Sequence, residues 1–167
     1  MILICYDGSP DSRTAIEYAG RLLSGQAATV LTVWEPFIEV LARTPSGFGL
    51  APGMVDADEI DRINEQSARE RAEEGVRLAR EAGLNPQPRT RALVTTIAEA
   101  ILAQADALDA DAIVMGTRGL TGVKSVLLGS VSHAVVQHTD RAVIVVPSHE
   151  VSETRRRQRH ERSADTQ

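Results

Sequence analysis

Two rhythms of apolar residues divide this chain. Continuous apolar runs at 2–6, 28–34, 112–115 and 142–146 predict strands buried on both faces, and a more polar run at 88–94 predicts another. Between them the spacing turns helical. Ser9 and Pro10 suit a helix cap and first turn, and Ala15, Ile16, Ala19, Leu22 and Leu23 follow on one face until Gly25. Ile60, Ile63, Ala72, Val76 and Ala79 predict a helix over 58–82, stopped by Gly83. Thr96-Ile-Ala-Glu99 reads as a capping box that opens a helix running to Leu108. After Gly129, the residues Val131, Ala134, Val135 and His138 share a helical face. Residues 35–57 contain Pro36, Pro45, Pro52, Gly47, Gly49 and Gly53, and predict a long irregular connection.

Strands alternating with helices call for one α/β domain, a doubly wound five-stranded parallel sheet with helices on both faces and right-handed crossovers. In such sheets a ligand crevice opens beyond the carboxyl ends of the strands, where the winding reverses. Asp7 follows the first strand and Gly116 follows the fourth, so both are placed to flank such a crevice.

Gly116-Thr-Arg-Gly119, followed by Gly129-Ser130, puts three glycines and a hydroxyl just after a buried strand. Glycines let a ligand approach the main chain, and the unpaired amides at a helix start favour an anion. Two other phosphate loops do not fit. A Walker A reading of 119–125 fails at Val123, where a glycine is needed, and no Gly-x-Gly-x-x-Gly follows the first strand.

The spacing Gly-x2-Gly-x9-Gly-Ser, with Asp7-Gly8-Ser9 near the N-terminus, resembles the universal stress protein family, in its ATP-binding subgroup. The likeness runs from Met1 to Pro147. It implies the strand order 3-2-1-4-5 and an ATP-dependent stress-response or signalling role exerted through unidentified protein partners. Mg2+ is expected with the triphosphate, because it binds with few protein ligands. The implied nucleotide site consists of Cys5, Asp7, Val33, Met115, Gly116, Arg118, Gly119, Gly129, Ser130, Val131 and Ser132.

Each of these residues also has a plainer role. Asp7-Gly8-Ser9 makes a good turn, and the three glycines serve as ordinary turn residues. Cys5 and Val33 are core by side chain, so ligand contact there would come from their backbone. Ser130 can simply cap its helix, while Arg118 and Lys124 can simply be solvated. Two alternatives stay open: a nucleotide-independent dimeric interaction module of the same fold, and a slow ATPase or phosphotransferase. His133 and His138 are spaced wrongly for one helical metal face, and hydrolase and kinase motifs are missing from the sequence.

Composition narrows the partners. Residues 1–150 carry 13 Lys+Arg against 20 Asp+Glu, which disfavours nucleic acid, whereas 151–167 carry 5 against 3. That basic stretch, with Arg155, Arg156, Arg157, Arg159 and Arg162, predicts a disordered tail over 149–167 behind a domain spanning 1–148. Without a signal-like segment or membrane-length apolar run, and with Cys5 its only cysteine, the chain is expected in the cytoplasm. The apolar run Ala142–Val146, at a sheet edge, predicts a homodimer, as the family resemblance also implies.

Overall fold

A computed structural model describes residues 1–43, 56–119 and 128–164. Strands β1 (Ile2–Cys5), β2 (Ala27–Trp34), β3 (Asn85–Ala92), β4 (Ala112–Gly116) and β5 (Ala142–Val146) form one sheet in the order β3-β2-β1-β4-β5. All four neighbouring pairs are parallel. Helices α1 (Pro10–Leu22), α2 (Phe37–Arg43), α3 (Ala57–Glu81), α4 (Ile97–Ala107), α5 (Ser130–His138) and α6 (His149–Ala164) complete the described elements.

Strand alternation sorts the core into two layers. Ile2, Ile4 and Tyr6 point to the layer that takes in Ala15, Ile16 and Ala19 of α1 and Val76 and Ala79 of α3. Leu3, Leu31, Ile113 and Met115 point to the other, against Ala98, Ile101 and Ala105 of α4 and Val135 of α5. Large aliphatic side chains buried this fully contribute roughly 1.5–3 kcal/mol each. Close packing sets limits as well. A Cβ on Gly75 would lie 2.7 Å from Val30 Cγ1 and 2.8 Å from Tyr6 Cδ1, so the absence of a side chain lets α3 settle onto the sheet.

Local signals explain most of the boundaries. Ser9 caps α1 by accepting from Ser12 N at 3.2 Å, and Thr96 caps α4 by accepting from Glu99 N at 3.1 Å. β3 begins three residues before its predicted start, because Pro86 and Pro88 lie on an edge strand. Being two apart, they remove donors only from the outer side while the ladder to β2 continues. The opposite edge, β5, reads Ala-Val-Ile-Val-Val and has no such protection.

Several expectations are corrected. The first part of the predicted irregular connection holds α2, in a stretch free of Gly and Pro; Phe37 N donates to Asp61 Oδ1 at 2.6 Å, tying it to α3. The rest of that connection, 44–55, lies outside the described residues, as do Lys124 and the middle of the glycine loop. Ile63, predicted inward, is 59% exposed, and Leu22 and His138 also face outward. In α3 the inward stripe begins instead at Ala68, because the 25-residue helix is longer than the strands it covers. The predicted disordered tail is carried as helix α6 over His149–Ala164. Its residues include no Gly or Pro, Ser152 N bonds Ser148 O at 2.9 Å, and Thr154 Oγ1 bonds Glu150 O at 2.9 Å.

Candidate functional site

β1 and β4 are neighbours at the point where the winding reverses, with Ile4 opposite Val114. Two short loops leave their carboxyl ends. From β1, the ladder extends through Tyr6 N to Leu31 O at 2.9 Å, and the chain then turns at Asp7 and Gly8 into α1. The turn is an Asx type in which Asp7 Oδ1 accepts from Ser9 N at 3.0 Å, and Gly8 takes φ +82°. From β4, the chain passes through Thr117, Arg118 and Gly119.

These loops meet. A Cβ built on Gly119 would lie 2.7 Å from Asp7 Oδ2, so this glycine is where the β4 loop rests against the β1 carboxylate. The start of α5 closes the third side: Gly129 N donates to Thr117 O at 2.7 Å, and Ser132 Oγ donates to the same carbonyl at 2.9 Å. Gly129 is the N-cap and makes no side-chain cap bond. The amides of Ser130, Val131 and Ser132 come first in the helix, before any carbonyl of its own can accept from them. They lie at the positive end of its dipole. Gly119 against Asp7, and Gly129 against Thr117 and Arg118, thus bring the β1 loop, the β4 loop and the start of α5 together at one end of the sheet.

Cys5, Val33, Met115 and Val131 all belong to the apolar core layer beneath α4 and α5. Cys5 is partly buried, and its thiol is pushed up to about 12, chiefly by burial and then by the charge of Asp7. It is a protonated, inert thiol rather than a nucleophile. On the other face of β1, Tyr6 is buried and its hydroxyl is also pushed up to about 12, by burial first and then by Glu74.

The eleven residues do not play one kind of part. Gly119 meets Asp7, while Gly129 and Ser130 open α5 beside Thr117. Gly116 is buried against α1, where a Cβ would meet Asp11 Cβ at 2.7 Å and Asp11 C at 2.8 Å; its lack of a side chain is a packing requirement. Ser132 is buried with its hydroxyl committed to Thr117 O. Arg118 is not a solvated loop cation: its side chain is 12% exposed and its Nε lies 3.6 Å from Asp11 Oδ2. Among the described residues no three His, Cys, Asp or Glu side chains gather as a metal site.

Asp11 and Thr117 escaped the sequence reading. Both are buried and bonded to each other, Thr117 Oγ1 donating to Asp11 Oδ2 at 2.5 Å. A polar residue flanked by loop glycines is the one signal that pointed at Thr117.

The sequence pattern of the Universal stress protein family matches residues 1–147. The chain belongs to the universal stress protein family. A relative from Thermus aquaticus, "Universal stress protein in QAH/OAS sulfhydrylase 3'region", is 33% identical over 150 residues, covering 87% of this chain and 96% of its own. Among solved structures, the universal stress protein from Archaeoglobus fulgidus in complex with dAMP superposes with a TM-score of 0.57 at 20% identity, covering 87% of this chain and 95% of that one. A universal stress protein family protein from Arabidopsis thaliana with AMP bound gives a TM-score of 0.59 at 14% identity, covering 89% and 91%. At such identities these two structures speak for the universal stress protein fold alone.

Proposed function

We propose that this universal stress protein binds an adenine nucleotide, ATP with Mg2+, in the hollow between the ends of β1 and β4, and serves as a nucleotide-dependent stress-response or signalling module in the cytoplasm. The observation that carries the reading is the meeting of the Asp7 carboxylate with Gly119, beside the open start of α5. A carboxylate accepts from ribose hydroxyls, and a helix start with flanking glycines receives phosphate. In this reading Cys5, Val33, Met115 and Val131 supply main-chain atoms and an apolar floor for the base. Gly116, Arg118, Gly119, Gly129, Ser130 and Ser132 build the phosphate side. That two relatives of the same fold were solved with dAMP and AMP supports an adenine nucleotide as the ligand.

The described residues supply no cluster of metal ligands, so Mg2+ would be held by phosphate oxygens and water, a mode that suits an ion reluctant to dehydrate. Residues 1–148 form the nucleotide-binding unit, and 149–167 are its basic appendage. The unprotected apolar edge of β5 supports a homodimer through Ala142–Val146.

Isothermal titration of the full chain with ATP, ADP, AMP and a cyclic nucleotide tests the reading. Saturable heat with one site per chain is expected. No heat at millimolar nucleotide would reject it in favour of the nucleotide-independent interaction module.

A further inference from the structure

Asp11 is a buried carboxylate that the nucleotide reading leaves without a task. It sits in the first turn of α1, is 4% exposed, and uses one oxygen twice: Oδ2 accepts from Thr117 Oγ1 at 2.5 Å and faces Arg118 Nε at 3.6 Å. The guanidinium of Arg118 is therefore drawn toward α1. Thr117 passes the constraint on. Its N–H donates to Val146 O at 2.9 Å, and its carbonyl accepts from Gly129 N and from Ser132 Oγ. One carboxylate on α1 is thereby connected, through a single residue, to the end of β5 and to the cap of α5.

A buried anion is stable only with partners, and here it has a hydroxyl, a guanidinium and the positive end of its own helix. Hydrogen bonds to charged groups are short and strong, so they fix loop geometry more firmly than neutral ones. We infer that Asp11 is the positioning residue of the proposed nucleotide site, acting through Thr117 and Arg118, and that Arg118 braces the loop instead of contacting phosphate. The inference rests on the nucleotide reading for its ligand, but the brace itself exists without one. Bracing and phosphate contact differ in a measurable way. A brace sets where the loop amides stand for every nucleotide, whereas a phosphate contact matters more as phosphates are added.

The test compares Asp11→Asn, Arg118→Gln and the double variant by titration with AMP and ATP. Each single variant should weaken AMP and ATP by the same factor, about tenfold, and the double should be no weaker than the worse single, as for residues acting in one network. Thr117→Val should behave like Asp11→Asn, and Thr117→Ser should restore affinity; this pair serves if Asp11→Asn does not fold. A loss in Arg118→Gln that grows from AMP to ATP, or tighter ATP binding by Asp11→Asn, would overturn the inference. If the unmodified protein binds no nucleotide, urea unfolding of the same set still decides the brace. Non-additive effects of Asp11→Asn and Arg118→Gln would retain it and remove only the nucleotide reading, while additive effects would overturn it.

Discussion

Gly119 and Asp7 stand against each other across the ends of neighbouring strands, so that a side chain on the glycine would meet the carboxylate at 2.7 Å. The neighbour is the far end of a flexible side chain, and Gly119 itself is exposed. Gly119→Val should therefore displace Asp7 with little damage to the fold. ATP affinity is expected to fall at least about tenfold while stability stays within about 1 kcal/mol, as for surface substitutions. Titration and urea unfolding check the two halves.

Gly116→Ala should do the reverse. Its added methyl would press on Asp11 Cβ and on the backbone carbon of Asp11, neither of which can swing away. Overpacking of this kind costs about 1–3 kcal/mol. A lowered urea midpoint is expected, and an unchanged one would show that α1 is not seated on β4 as described.

Much of this was legible in the sequence, and the reasons are specific. Strands of a parallel sheet leave continuous apolar runs, so β5 was read to the residue although it lies at the edge and only Val146 is buried. Ser9 and Thr96 announced their helices because capping depends on one local hydroxyl. β3 was misplaced because proline normally interrupts a strand, and only knowledge that this strand lies at an edge lifts the objection. For the candidate site, the glycine spacing pointed to the loop that meets Asp7. It did not separate Gly116, needed for packing, from Gly119, which faces Asp7. Nor did it reveal the bond from Thr117 to Asp11, whose partners are 106 positions apart in the chain.

Stability should decline at alkaline pH. Cys5 and Tyr6 both titrate near 12 in the folded chain, above the roughly 8.5 and 10 expected when unfolded. Their protonated forms are favoured by folding, so this stability is present below the unfolded values and is lost as pH rises toward 12. Cys5→Ala should flatten the part of the decline that begins near pH 9. Thiol labelling of the folded protein at pH 8 should be slow and should accelerate on unfolding.

The edge of β5 predicts the assembly. Val143→Lys with Val145→Lys should convert a particle of twice 18.0 kDa to one of 18.0 kDa by light scattering, with circular dichroism confirming that the sheet persists. Those two valines also pack against the layer beneath α5, so the spectrum is a necessary control. A folded double variant of unchanged mass would place the interface elsewhere.

The most direct measurement is an amide NMR titration of the full chain with ATP. Shifts are predicted at Gly119, Ser130, Val131 and Ser132, with Asp7 moving alongside them, at a common dissociation constant. Saturating ATP that leaves those amides unmoved, or moves only residues on other faces, would contradict the account.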